Sequence, residues 1–239
     1  MTVFETTNLT AASFSVALFG LAATAILLLI GTSWVGRSWK VPVTLCALAA
    51  LVGVAAAFEG RAALGAGGVV PVVYHYSGWA VSQPLQVMAL YFFAAAAAPI
   101  GAKPIGPGVF WRILVVSVLM VFVRYLGEAG YMNATLAFLI GLAFWLYILG
   151  ELYFGRMDDA VQSAGSDATR RGYFWLRLIV TVGWAIYPLG NFLTSFIGVT
   201  DNGAISTAYN VADIANRMAF GIAILATAAI ASHEDKPYA

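Results

Sequence analysis

The stretch Tyr209-Asn210-Val211-Ala212-Asp213-Ile214-Ala215-Asn216-Arg217-Met218-Ala219-Phe220-Gly221 lies inside the apolar run 205–232. A run of that length is enough to cross a bilayer, which takes about 20 apolar residues in a helix. Asp213 and Arg217 stand four residues apart, so on a helix they share one face about one turn from each other. Ionisable groups at membrane depth are costly and mark functional sites by default. The residues alone leave two readings of the pair. It is either a neutralised pair that fixes how this helix packs, or a binding-site pair facing a central cavity.

Working outward, six more apolar runs precede this one, at 11–34, 41–64, 74–98, 109–126, 133–154 and 173–198. The chain is therefore expected to be an all-α membrane protein, a single seven-helix bundle over 1–239. The composition agrees: 62% hydrophobic and 10% charged, with a mean hydropathy of +0.87, where a soluble domain is roughly a quarter charged. The connectors are expected to be a glycine-rich loop at 65–73, a Gly/Pro-rich segment at 99–107, a turn at 127–130, a polar loop at 156–171 and a short link at 199–204. The N-terminal ten residues are polar and carry Glu5 rather than a positive stretch, so the first run reads as a retained helix, not a signal peptide. Arg37, Lys40, Lys103, Arg156, Arg170 and Arg171 fall in the odd-to-even loops, and Lys236 in the tail. Arg61 and Arg124 lie near helix ends on the other side. Positive charge marks the cytoplasmic face, which puts the C-terminus inside and the N-terminus outside. A net charge of +1 implies no nucleic acid partner, and Cys46, the only cysteine, excludes an intramolecular disulfide.

The third run carries His75, Ser82, Gln83 and Gln86, with Ser82 and Gln86 on one face. His75 reads first as a hydrogen-bonded histidine and second as a proton carrier. Trp79, Trp184, Tyr187 and Tyr209 either line a pocket between helices or simply pack the core. His75 and His233 are the only histidines, and no phosphate loop, zinc spacing or nucleophile motif is present. The residues thus point to no enzyme, no catalytic set and no metal centre.

Several motifs resemble microbial rhodopsins, most closely the bacterial proteorhodopsins. The sixth run reads Gly183-Trp184-Ala185-Ile186-Tyr187-Pro188-Leu189-Gly190, similar to the family's retinal-facing sixth helix. The opening stretch resembles the family's Tyr-Asn-Leu-Ala-Asp…Asn-Lys…Phe-Gly pattern. Gly127-Glu128-Ala129-Gly130, Trp145-Leu146-Tyr147-Ile148 with Glu151-Leu152, and the frame Tyr76, Trp79, Ser82, Pro84 also match. The resemblance implies the seven-helix rhodopsin fold, with a ligand pocket formed by Trp79, Ser82, Gln86 and Trp145 together with Trp184, Tyr187, Asn191 and Tyr209. It also implies a bacterial inner membrane location and lipid contacts, and an oligomeric ring, commonly pentameric.

The departures from the family pattern bear most on function. The family's Schiff-base lysine aligns with Arg217, and its counter-ion with Asp213. A Schiff base needs a neutral primary amine, which a permanently protonated guanidinium does not supply. The family's third-helix arginine aligns with His75, its proton acceptor with Gly78 and its proton donor with Ala89. Lys40, Lys103 and Lys236, the only lysines, are expected in loops or the tail. No covalent retinal is therefore expected. The first functional reading is a structural or modulatory homologue that forms homo-oligomers, or hetero-oligomers with retinal-bearing rhodopsins. The second is a non-covalent binder of retinal, a retinoid or another apolar ligand, with Gly78 adding space and Arg217 meeting a ligand carboxylate or else folding into the cavity. A light-driven pump or photoreceptor, and a passive ion path, are weaker readings. A lateral carotenoid antenna is disfavoured by Phe138, which aligns with the small residue that opens the antenna window in relatives.

Overall fold

The computed structural model describes residues 6–67, 70, 72–98 and 104–234. In chain order its helices are α1 (Thr6–Gly31), α2 (Lys40–Gly67), α3 (Val72–Ala97), α4 (Pro107–Glu128), α5 (Ala134–Phe154), α6 (Arg156–Ala164), α7 (Asp167–Leu178), α8 (Ile186–Phe192) and α9 (Asn202–Glu234). Two π-helical segments, Ile179–Gly183 and Leu193–Ile197, continue α7 into α8 and extend α8, so Asp167–Ile197 makes one crossing. Seven helical stretches are long and apolar enough to span a membrane. Large apolar side chains such as Phe19, Phe58 and Phe154 stand exposed on the outside of the bundle, as lipid-facing residues do.

The crossings close into a ring. α1 packs against α2 and α9, α2 against α3, α3 against α4, α4 against α5, α5 against α8, and α7 against α9. The side of α2 turned to the bundle is built from small residues, including Ala49, Gly53, Ala57 and Gly60, all buried. In lipid, helices associate by close packing rather than by hydrophobic exclusion, so small residues let backbones approach. Here Gly60 receives Phe14 of α1, and Gly53 receives both Leu21 of α1 and Arg217 of α9.

Several connectors are shorter than the sequence reading has them, most clearly in the following places. The segment 156–171, expected as a polar loop, is mostly helical. Its charges are the reason for the misreading: α6 is amphipathic, with Asp158 and Asp159 in its first turn, where the helix dipole favours acids. Met157 and Val161 are buried on its other face. Ser166 then caps α7, accepting the Thr169 N–H, and Arg177 of α7 pairs with Asp158 at 3.0 Å. The glycines at 65–67, expected in a loop, instead form the last turn of α2. α4 runs to Glu128, two residues beyond its expected end, before the chain turns at Gly130 with φ +80°. Elsewhere the caps are as the residue types suggest: Pro107 opens α4 behind Gly106, and Asn133 accepts the Leu136 N–H at the start of α5. Glu5, Lys103 and Lys236 lie outside the described residues.

Candidate functional site

Asp213 of α9 is held by three donors from three crossings. Trp79 Nε1 of α3 reaches both carboxylate oxygens, at 3.1 and 3.2 Å. Tyr187 of α8 donates its hydroxyl to Oδ1 at 2.7 Å. Arg217 Nη1, one turn along α9, lies 2.9 Å from Oδ2, in a pair whose side chains are only 4% and 14% exposed for Arg217 and Asp213. Arg217 Nη2 also donates to Ser82 Oγ at 2.8 Å. The Ser82 hydroxyl in turn donates to the Gly78 carbonyl at 2.8 Å, so its proton is committed and its lone pair is free for the guanidinium. Arg217 Nε is buried with no partner among the described residues. The guanidinium therefore sits in the bundle core, bonded to α9 and α3 and resting on Gly53 of α2.

Around this pair the aromatic side chains touch one another. Trp79 meets Tyr187 and Tyr209 edge to face, each at 5.0 Å between ring centroids. His75 stacks on Trp79 at 5.6 Å and on Phe14 at 6.0 Å, and its Nε2 is 3.2 Å from Ser206 Oγ. That is the hydrogen-bonded core histidine of the first reading. Trp184 and Trp145 lie apart from this cluster. They join Gln83, Met120, Arg124 and Tyr187 around a cavity of about 10 Å³. A second cavity, also about 10 Å³, lies beside Ala56, His75, Gly78, Asp213 and Arg217. Each has room for about one water molecule.

The remaining residues singled out from the sequence distribute as follows. Ala89 is fully buried in the core. Gln86 is buried, with its Nε2 unpartnered among the described residues, and does not join Ser82 at Arg217. Asn191 serves Glu128 instead: Glu128 Oε2 accepts from Asn191 Nδ2 at 3.3 Å and from the Tyr76 hydroxyl at 2.6 Å. Gly78 borders the second cavity, but α2 crowds its side-chain position: a Cβ there would lie 2.7 Å from Ala56 Cβ. Phe138 packs against Phe192 and Phe196.

Three features escaped the sequence reading. Gly53 makes room for Arg217, and nothing local in the sequence indicates it. The π-segment Ile179–Gly183 shifts the backbone register. Two of its carbonyls bond across the bundle, Val180 O to Trp145 Nε1 at 3.0 Å and Gly183 O to Asn216 Nδ2 at 2.9 Å. The third feature is Arg124, which was placed near a helix end. Its stem instead crosses the inward side of Gly141 on α5, and its Nε and Nη2 are enclosed. Its position inside an apolar run was the available signal.

A closed ring of seven crossings, with an aspartate on the last one clamped between a tryptophan of the third and a tyrosine of the sixth, defines the class of microbial rhodopsins. The chain belongs to the bacteriorhodopsin-like protein family, whose profile matches residues 8–231. It is 32% identical to the blue-light absorbing proteorhodopsin of Gamma-proteobacterium Hot 75m4, over 89% of this chain and 83% of that one. It is 30% identical to the green-light absorbing proteorhodopsin of Gamma-proteobacterium EBAC31A08, over 92% and 86%. Among solved structures, the blue light-absorbing proteorhodopsin from Med12 superposes with a TM-score of 0.78 at 30% identity, covering 95% of this chain and 99% of that one. Thermophilic rhodopsin, at 20% identity, shares the fold with a TM-score of 0.84 over 98% of both chains. The chain is a proteorhodopsin-like, multi-pass membrane protein.

Proposed function

We propose that this chain is a rhodopsin homologue that forms no Schiff base with retinal and pumps no protons. On this reading it serves as a structural or modulatory subunit of a membrane oligomer, a ring of its own copies or a mixed ring with retinal-bearing relatives. It sits in the inner membrane of a bacterium, with the N-terminus outside and the C-terminus in the cytoplasm. No enzymatic step is proposed. The observation that carries the reading is Arg217. It occupies the place that resemblance gives to the reactive lysine, and both its terminal nitrogens are engaged, one by Asp213 and one by Ser82. Two further features support it. Lys40 opens α2, so the one lysine among the described residues begins a helix rather than facing Asp213. The positions aligned with proton acceptor and donor are Gly78, where Ala56 crowds any added side chain, and Ala89, fully buried and apolar.

The test is reconstitution of the purified protein with all-trans retinal, followed by borohydride reduction and intact mass measurement. The expected mass is that of the unmodified chain, with no visible band above free retinal. A reduced adduct of one retinal per chain refutes the reading. Its oligomeric half is tested by native mass spectrometry from membranes that also contain a retinal-bearing relative. A strictly monomeric protein without membrane partners refutes that half.

A further inference from the structure

We propose that Arg124 anchors a binding site for a small monatomic anion, of chloride size, in the cavity between α3, α4, α5 and α8. The proposal goes beyond the scaffold reading and does not depend on it. Arg112, Arg170, Arg177 and Arg217 each form an ion pair. Arg37, Arg61, Arg156 and Arg171 are exposed. Arg124 is neither paired nor free in solvent: its Nε and Nη2 are enclosed and have no partner among the described residues. Arg124 as a whole is part-buried, but enclosed N–H groups left without an acceptor are unfavourable, and the acid on the same helix is held by other donors. Glu128, one turn further along α4, accepts from Tyr76 and Asn191.

The surroundings set the ligand's size and charge. Gly141 on α5 is the cradle for the Arg124 stem, since a Cβ there would meet Arg124 Cγ at 2.5 Å. This directs the guanidinium inward to a cavity of about 10 Å³ that it lines with Gln83, Met120, Phe138, Trp145 and Trp184. That space admits one water-sized particle, which excludes phosphate, sulfate and any ligand with a tail. The walls are mostly apolar. Trp145 has already given its indole N–H to Val180 O and Tyr187 its hydroxyl to Asp213, which leaves the Arg124 guanidinium, the Gln83 carboxamide and the Trp184 indole as the polar groups of the lining. One guanidinium balances one negative charge. Glu128 lies one turn along α4 from Arg124, so its carboxylate opposes an anion bound there.

The test uses the full-length protein in zwitterionic nanodiscs, titrated with chloride against gluconate at fixed ionic strength and read as chlorine NMR line width. Bromide serves as the competitor, and crystals soaked in bromide locate the ion by anomalous scattering. Wild type is expected to bind chloride saturably, with a bromide peak beside Arg124. Arg124→Gln should weaken binding at least tenfold, Arg124→Lys should keep part of it, and Arg112→Gln, at an exposed arginine paired with Glu151, should leave it unchanged. Glu128→Gln should tighten binding several-fold, a change of sign that a purely structural role does not produce. If Arg124→Gln fails to fold, the Glu128→Gln result decides. The proposal is overturned if wild type shows no saturable binding, if Arg124→Gln binds as wild type does, if the bromide peak lies elsewhere, or if Glu128→Gln binds no more tightly than wild type.

Discussion

Replacing Asp213 with asparagine keeps the side chain's shape and removes its charge. Arg217 would then sit 4% exposed in the bundle core with one good partner left, Ser82 Oγ at 2.8 Å. Breaking a buried ion pair by deleting one partner costs about 3–5 kcal/mol, because the other charge is stranded. The converse change, Arg217→Gln, strands Asp213 less severely, since Trp79 and Tyr187 still donate to it. Each hydrogen bond to a charged group contributes roughly 1.5–3 kcal/mol, so these two donors offset much of the loss, and Arg217→Gln should cost about 1–3 kcal/mol. The double variant carries neither charge and should be more stable than Asp213→Asn alone by about 2 kcal/mol or more, within the coupling range for residues in direct contact. The assay is reversible unfolding in mixed micelles with increasing SDS, followed by tryptophan fluorescence for all four proteins at one pH and salt concentration. The reasoning fails if Asp213→Asn lies within about 1 kcal/mol of wild type, or if the two single effects simply add in the double variant.

Three other outcomes follow from the same geometry. Gly78→Ala should destabilise the protein by about 1–3 kcal/mol as an overpacked contact, because the new Cβ would meet Ala56 at 2.7 Å; unfolding in SDS checks this, and an unchanged midpoint contradicts it. Arg217→Lys supplies a primary amine yet should give no light-driven acidification in retinal-fed cells, since Gly78 and Ala89 provide no carboxylate for proton transfer; an uncoupler-sensitive pH change on illumination would contradict the assignment. Asn216→Leu leaves the Gly183 carbonyl without its 2.9 Å donor, which should cost about 1–3 kcal/mol. It should also speed amide hydrogen exchange across the π-segment Ile179–Gly183, as exchange mass spectrometry would show.

The crossings were legible because bilayer thickness sets a length that an apolar run either meets or does not, and 62% hydrophobic content leaves few alternatives. Pairing of Asp213 with Arg217 was legible for a local reason, a spacing of four on one helix. What lay beyond the sequence involved contacts between crossings. Nothing near Gly78 indicates that Ala56, on another helix, takes the space opposite it. Nothing near Arg217 indicates that Gly53 lets it lie flat. α6 was hidden by its own polarity: its buried face is only Met157 and Val161, four apart among charges, a pattern that reads equally as a loop. Arg124 is the instructive case. Its place near a helix end says nothing of its direction; Gly141 opens a path inward and the side chain takes it.

The changes around Arg217 constrain one another electrostatically. A guanidinium is charged at every accessible pH, so a chain that carries one in the bundle core keeps an anion beside it. Asp213 is that anion, and Trp79 and Tyr187 hold it in place. A second carboxylate at Gly78 would leave the group one negative charge in excess, and its Cβ would collide with Ala56. A cation at His75 would reverse the excess, whereas the imidazole packed between Phe14, Trp79 and Tyr209 is compatible with a neutral ring. The charge pair, the absence of a side chain at Gly78 and the small residues on α2 therefore form one arrangement. On the proposed reading, restoring a single family residue within it meets either a charge imbalance or a steric block, so a reactive site would return only if the group changed together.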